Sequence, residues 1–121
     1  MTWPGLIRKQ PYRGLTAWLP RDRYNPGDPH AGRPAVVIKV LQVERACIVV
    51  TRTSQHTVSH RGDIYHEADP KLPCCDRPGW WQPGRVYRVG FAAWDDEETR
   101  EFATMENPLL NRIIEAYERR S

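Results

Sequence analysis

Two apolar runs of similar texture lie near the middle of the chain, "PAVVIKVL" at 34–41 and "ACIVVT" at 46–51. Neither alternates. Both are continuous and rich in β-branched residues, the pattern of buried strands. Only "QVER" separates them, which is short enough for a hairpin. "GLTAWL" at 14–19 is a candidate first strand, and "GDIYHEA" at 62–68 alternates as a half-buried strand does. "WWQPGRVYRVGFAAW" at 80–94 holds one strand around 85–91, with room for another before the Pro83-Gly84 turn. Prolines cluster at 20–34 and 70–83 and mark loops. Beyond residue 94 the texture changes: "DDEETREFATM" reads as one helical turn or more. "NPLLNRIIEAYERR" predicts a helix over about 108–119. Asn107 suits the N-cap and Pro108 the first helical position. Leu109, Leu110, Ile113, Ile114 and Tyr117 recur at spacings of three and four, and Arg119 and Arg120 complement the helix dipole. Five to seven short antiparallel strands and a terminal helix give a mainly β fold, a small bent barrel of SH3-like or OB-like type.

Composition narrows this picture. The chain has 121 residues, which suits one domain over 1–121, with 1–12 as an N-terminal extension. Such a length can bury a core without disulfides or a structural metal. The net charge is +3, compatible with a polyanionic partner without demanding one. Lys9, Lys39 and Lys71 are the only lysines; the other cations are arginines. The guanidinium fork fits phosphate, although a GC-rich genome leaves the same bias. Cys47, Cys74 and Cys75 are an odd set with an adjacent pair, which reads as reduced and intracellular. No apolar stretch reaches membrane length, and "MTWPGLIRKQPYRG" lacks the apolar core of a signal peptide. A soluble, cytoplasmic protein is expected, with no membrane partner.

The second apolar run ends abruptly in "TRTSQH", delivering hydroxyls, an arginine and an imidazole to one point. Together with "RGLTAWLP" and "AGRPAVVI", this order of pieces resembles the MazF/PemK (Kid) family of toxins from toxin–antitoxin systems. Arg13-Gly14 and Trp18 match the family's opening, Gly32-Arg33-Pro34 its second motif and Thr53-Ser54 its third. The match is good over roughly 13–55; further on it holds only in outline. The resemblance implies an SH3-like barrel with a C-terminal helix, usually a homodimer. It also implies metal-independent, sequence-specific cleavage of single-stranded RNA, with an antitoxin protein as partner.

Metal-free RNA cleavage needs a base for the ribose 2′-OH, a cation for the phosphorane and an acid for the departing 5′-oxygen. The resemblance makes Arg33 the candidate cation and Thr53 a catalytic hydroxyl. Ser54 and Arg52 are candidate substrate contacts. By strand alternation Arg52 points away from Thr51 and Thr53, either to phosphate or to solvent. Alternatively Thr53 and Ser54 form an ordinary turn. Cys75-Asp76-Arg77-Pro78 resembles a Cys-Asp-Gln-Pro stretch that carries a catalytic Asp in some PemK-like members, which makes Asp76 the candidate base. Cys74 departs from the pattern, standing where those members have Arg. Arg77 is a candidate substitute, leaving from the other face of a strand. Trp80 is a candidate stacking platform, Trp80 and Trp81 dividing between core and surface. His30 lies in the loop before Arg33, where some members have a histidine. His60, His66, Cys74 and Cys75 fit no standard zinc spacing, so neither metal nor cofactor is expected.

Two other functions stand beside the endonuclease. One is a non-catalytic SH3-like barrel that binds protein or nucleic acid. The other is gyrase poisoning, known in some relatives of this fold. It is disfavoured because the chain ends "YERRS" without terminal aromatics.

Overall fold

The computed structural model describes residues 10–24, 32–55 and 62–120. Six strands form one antiparallel sheet: β1 (Leu15–Pro20), β2 (Gly32–Leu41), β3 (Ala46–Thr53), β4 (Ile64–His66), β5 (Gly79–Gly90) and β6 (Arg100–Thr104). Their spatial order is β4-β5-β3-β2-β1-β6. A one-turn helix, α1 (Arg21–Tyr24), follows β1, a 3₁₀ turn occupies Phe91–Asp95, and α2 (Leu109–Arg120) closes the chain.

The continuous apolar runs are explained by two cores. Val36, Ile38 and Val50 face one cluster with Trp81, Leu110, Ile113 and Ile114 of α2. Ala35, Val37, Cys47 and Val49 face a second cluster with Leu19, Tyr24, Phe91 and Trp94. A strand covered on both faces has no polar face to show, so β2 and β3 lose alternation. Three register breaks, between Val37 and Lys39, between Val50 and Arg52, and between Thr16 and Trp18, curl the sheet into a half-barrel whose edges are β4 and β6.

Gly14 explains the Arg-Gly opening. Its φ is +99°, its amide donates to Val37 O and its carbonyl accepts from Met105, so one residue ties β1 to both neighbouring strands. An added Cβ would press on Leu110 and the Met105 carbonyl.

The structure departs from the sequence reading in several places. "REFAT" is the edge strand β6, not a helical turn. β5 is one strand through Pro83-Gly84, because the register jumps from Val50–Val86 to Arg52–Trp81 and leaves the proline unpaired in a bulge. α1 lies within a stretch read as loop. Helix α2 starts at Leu109, one residue after Pro108, and Asn107 Oδ1 accepts the Asn111 amide at 3.1 Å. A homodimer was also expected from an excess of apolar groups that included Ile113, Ile114 and Tyr117, but Ile113 and Ile114 are buried within the chain and supply no surface for it. Among the described residues no helix is long and apolar enough to cross a membrane.

Candidate active site

Where β2 begins and β3 ends, the curl of the sheet opens a groove of about 450 Å³. It is lined by Arg33 and Gly32 of β2, Thr53 with Ser54 beyond β3, Asp76 and Arg77 of the 67–78 loop, and Arg100 and Glu101 of β6. Four stretches distant in sequence meet here. The walls hold four arginines (Arg33, Arg52, Arg77, Arg100) against two carboxylates (Asp76, Glu101), which favours an anionic occupant.

Each residue is positioned by a local device. Arg33 pairs with Leu19, whose side chain is wholly buried, so its backbone is held by the β1–β2 ladder. Just before it, a Cβ on Gly32 would overlap the Trp18 indole. The same indole carries Arg100, its guanidinium carbon 4.1 Å from the ring centroid. Thr53 is buried, and its hydroxyl both accepts the Gln55 amide and donates to the Gln55 carbonyl, each at 3.1 Å. Asp76 and Arg77 are exposed, with Oδ1 and Nε 3.8 Å apart.

Arg52 is neither solvated nor presented as a free cation. It is 3% exposed and its guanidinium donates to the carbonyls of Arg77 (2.8 Å), His66 (2.8 Å) and Glu67 (3.3 Å). The loop that covers Arg52 was invisible in the sequence. The Arg52 charge also acts on the cysteine pair. Cys74 and Cys75 Sγ lie 3.8 Å apart. Hydrogen bonding from Cys74 holds the Cys75 thiol low against burial, with His66 and Arg52 assisting. The Cys74 thiol is pushed up by that bond and by burial, and the Glu101 carboxylate adds to the push. Beneath, His66 Nε2 meets Asp69 Oδ2 at 3.1 Å and Nδ1 accepts the Trp81 indole N–H at 3.2 Å, so both ring nitrogens are engaged. Partial burial works to raise the Asp69 carboxyl, but the Lys71 amide and His66 hold it below its usual value.

No family model and no curated protein matches the chain. Sixteen chains of known structure do. Among them is the crystal structure of MazE–MazF (Form-II) from Deinococcus radiodurans, at a TM-score of 0.64 and 14% identity, covering 93% of this chain and 95% of that one. The chain has the fold of MazF.

On this MazF fold, Arg33, Arg52, Thr53, Ser54, Asp76 and Arg77 are brought to one groove. Residues 74–78 are irregular, not strand, so Asp76 and Arg77 reach the same groove instead of opposite faces. Trp80 is not among the groove's lining residues; its ring packs edge-on against Tyr65 at 5.3 Å, while Trp81 is wholly buried. His30, like His56 and His60, lies outside the described residues. Sequence reasoning missed Arg100 and Glu101, because the acidic stretch ahead of them reads as helix. The available signal was the aromatic and β-branched content of "TREFAT".

Proposed function

We propose that this protein is the toxin of a toxin–antitoxin pair and a metal-independent endoribonuclease acting on single-stranded RNA. The observation that carries the reading is the convergence of Arg33, Thr53, Asp76 and Arg77 on one arginine-rich groove of a MazF fold. Asp76 takes the proton of the ribose 2′-OH, whose oxygen attacks the adjacent phosphorus. Arg33 stabilises the charge that builds on the phosphorane, where a fixed guanidinium counts for more than in the ground state. Arg77 binds a phosphate oxygen and Thr53 positions the scissile group. The P–O5′ bond breaks, the departing 5′-oxygen takes a proton from solvent, and the products are a 2′,3′-cyclic phosphate and a 5′-hydroxyl.

The solved neighbour is a MazE–MazF complex, which supports an antitoxin as partner here. An acidic antitoxin segment would compete with RNA for the arginines. A homodimer belongs to the same reading; among the described residues the large apolar side chains left exposed are Val43, Tyr65 and Phe102. Light scattering at micromolar concentration tests it, and a monomer would refute it.

The decisive assay is a long RNA incubated with pure protein in EDTA, with the cut ends mapped. Expected are discrete cuts ending in cyclic phosphate, absent with Arg33→Ala. A non-catalytic binding barrel is the second reading. It is favoured by Thr53, whose hydroxyl is already engaged by Gln55. Binding without cutting would select it.

A further inference from the structure

The edge strand β6 breaks the rule that successive side chains point to opposite faces. Arg100 and Glu101 are adjacent, yet both line the groove, whereas the next pair, Phe102 and Ala103, lines a separate cavity. The cause is a bulge. Thr16 pairs with Ala103 and Trp18 with Arg100, so Glu101 and Phe102 together oppose the single residue Ala17. Glu101 carries the distortion at φ +64°. Its backbone occupies the left-handed region at a place where bulges of this kind take glycine. A carboxylate stands at a position whose backbone favours glycine, and it lines the groove.

That carboxylate is ill suited to phosphate, which it repels. Its natural partners are N–H donors. Beside it the Arg100 guanidinium carbon sits 4.1 Å from the Trp18 ring centroid, and a guanidinium held there is a surface on which a base can stack. In single-stranded RNA the Watson–Crick edges are free to be read. Guanine offers two adjacent donors, N1–H and the N2 amine, which match the two oxygens of a carboxylate. Uracil offers one N–H flanked by two carbonyls, which a carboxylate disfavours. Resting on the RNA reading above, we infer that Glu101 is a specificity-determining residue. It accepts hydrogen bonds from the Watson–Crick edge of one base flanking the cut, guanine best and uracil worst, while that base stacks on Arg100.

The test has two arms. In the first, wild type, Glu101→Gln and Glu101→Gly cut a random-sequence RNA pool in EDTA and base frequencies around the cuts are compared. Wild type is expected to favour guanine over uracil at one position by about tenfold or more, and both variants to lose that preference. In the second, 2′-deoxy oligonucleotides carrying guanine, hypoxanthine or uracil at that position, or at each position in turn if nothing is cut, are titrated against each protein. Removing the N2 amine (hypoxanthine) is expected to weaken binding to wild type but not to Glu101→Gln. Glu101→Gly also relieves the backbone and should melt a few degrees higher. A purely structural role would move the melting temperature and leave base preference intact. If wild type cuts and Glu101→Gln keeps the same preference, the inference about Glu101 is overturned and the endonuclease reading stands. If wild type binds with Glu101-dependent preference but never cuts, the endonuclease reading falls and Glu101 keeps its role. Absence of all binding overturns both.

Discussion

Two hollows flank β6, and they could hardly differ more in character. The groove on the Arg100–Glu101 side is walled mainly by arginines, with Thr53 and Ser54 beside them. The cavity on the Phe102–Ala103 side is the larger, about 550 Å³, and is lined by Tyr12, Leu15, Trp94 and Phe102 with Asp95, Asp96 and Glu97 at its rim. By size alone the cavity would be the site. By charge it is closed to a polyanion, since three carboxylates meet whatever approaches. Volume measures what fits, and the sign of the wall measures what stays.

The largest expected effect separates the two hollows outright. Arg33→Ala should lower RNA cleavage on the order of 100–1000-fold with circular dichroism unchanged. Phe102→Ala in the cavity should stay within about threefold. The reverse pattern, with Phe102 essential and Arg33 dispensable, would move the chemistry to the cavity.

Next comes the foundation both hollows share. Ile113 is fully buried beneath the sheet, so Ile113→Ala should cost about 2–5 kcal/mol in urea unfolding. A loss below about 1 kcal/mol would mean that α2 does not anchor the half-barrel.

Thr53→Ala is a smaller matter, since it removes a positioning hydrogen bond and no charge. Cleavage should fall by about 2–10-fold in kcat, well short of Arg33→Ala. An equal loss would assign Thr53 a chemical role.

The smallest effect belongs to the acidic rim. The Glu98 amide and the Arg23 guanidinium, its Nε 2.7 Å from Oδ2, hold the Asp96 carboxyl below its usual value. A carboxyl lowered by folding stabilises above its unfolded pKa, about 3.9, and that contribution is lost as pH falls through the lowered value. Asp96→Asn should therefore flatten the acid limb of melting temperature against pH below about 4 and leave cleavage unchanged. An acid limb identical to that of wild type would show that the Arg23 pairing adds nothing.

Legibility in the sequence followed the same divide between regular and broken backbone. β2, β3 and α2 were readable because burial on two faces, or on one helical stripe, writes itself as a continuous or a 3–4-spaced apolar pattern. Arg33 and Thr53 stood out as motif residues at the ends of such elements, and Asp76 as a motif residue of a loop. β6 was not readable, because four acidic residues precede it and its bulge removes the alternation that identifies a strand. The surroundings of Arg52 were not readable. Alternation gives the direction of a side chain, while the presence of a loop above it depends on residues 14–25 positions away. β5 was read as interrupted because a proline forbids a ladder bond, and a bulge is the one place where that prohibition costs nothing.

Arg52 has a consequence for how such a chain can vary. One guanidinium holds the carbonyls of His66 and Arg77, and so clamps both ends of the segment between them. The segment is a ring in the topological sense, closed by a side chain instead of a covalent bond. Residues inserted or deleted within it lengthen or shorten the ring but leave its clasp in place. The closure entropy changes only with the logarithm of loop length. Asp76 stands beside the clasp, so its distance from Thr53, the neighbour of Arg52 on β3, is decoupled from the length of the ring.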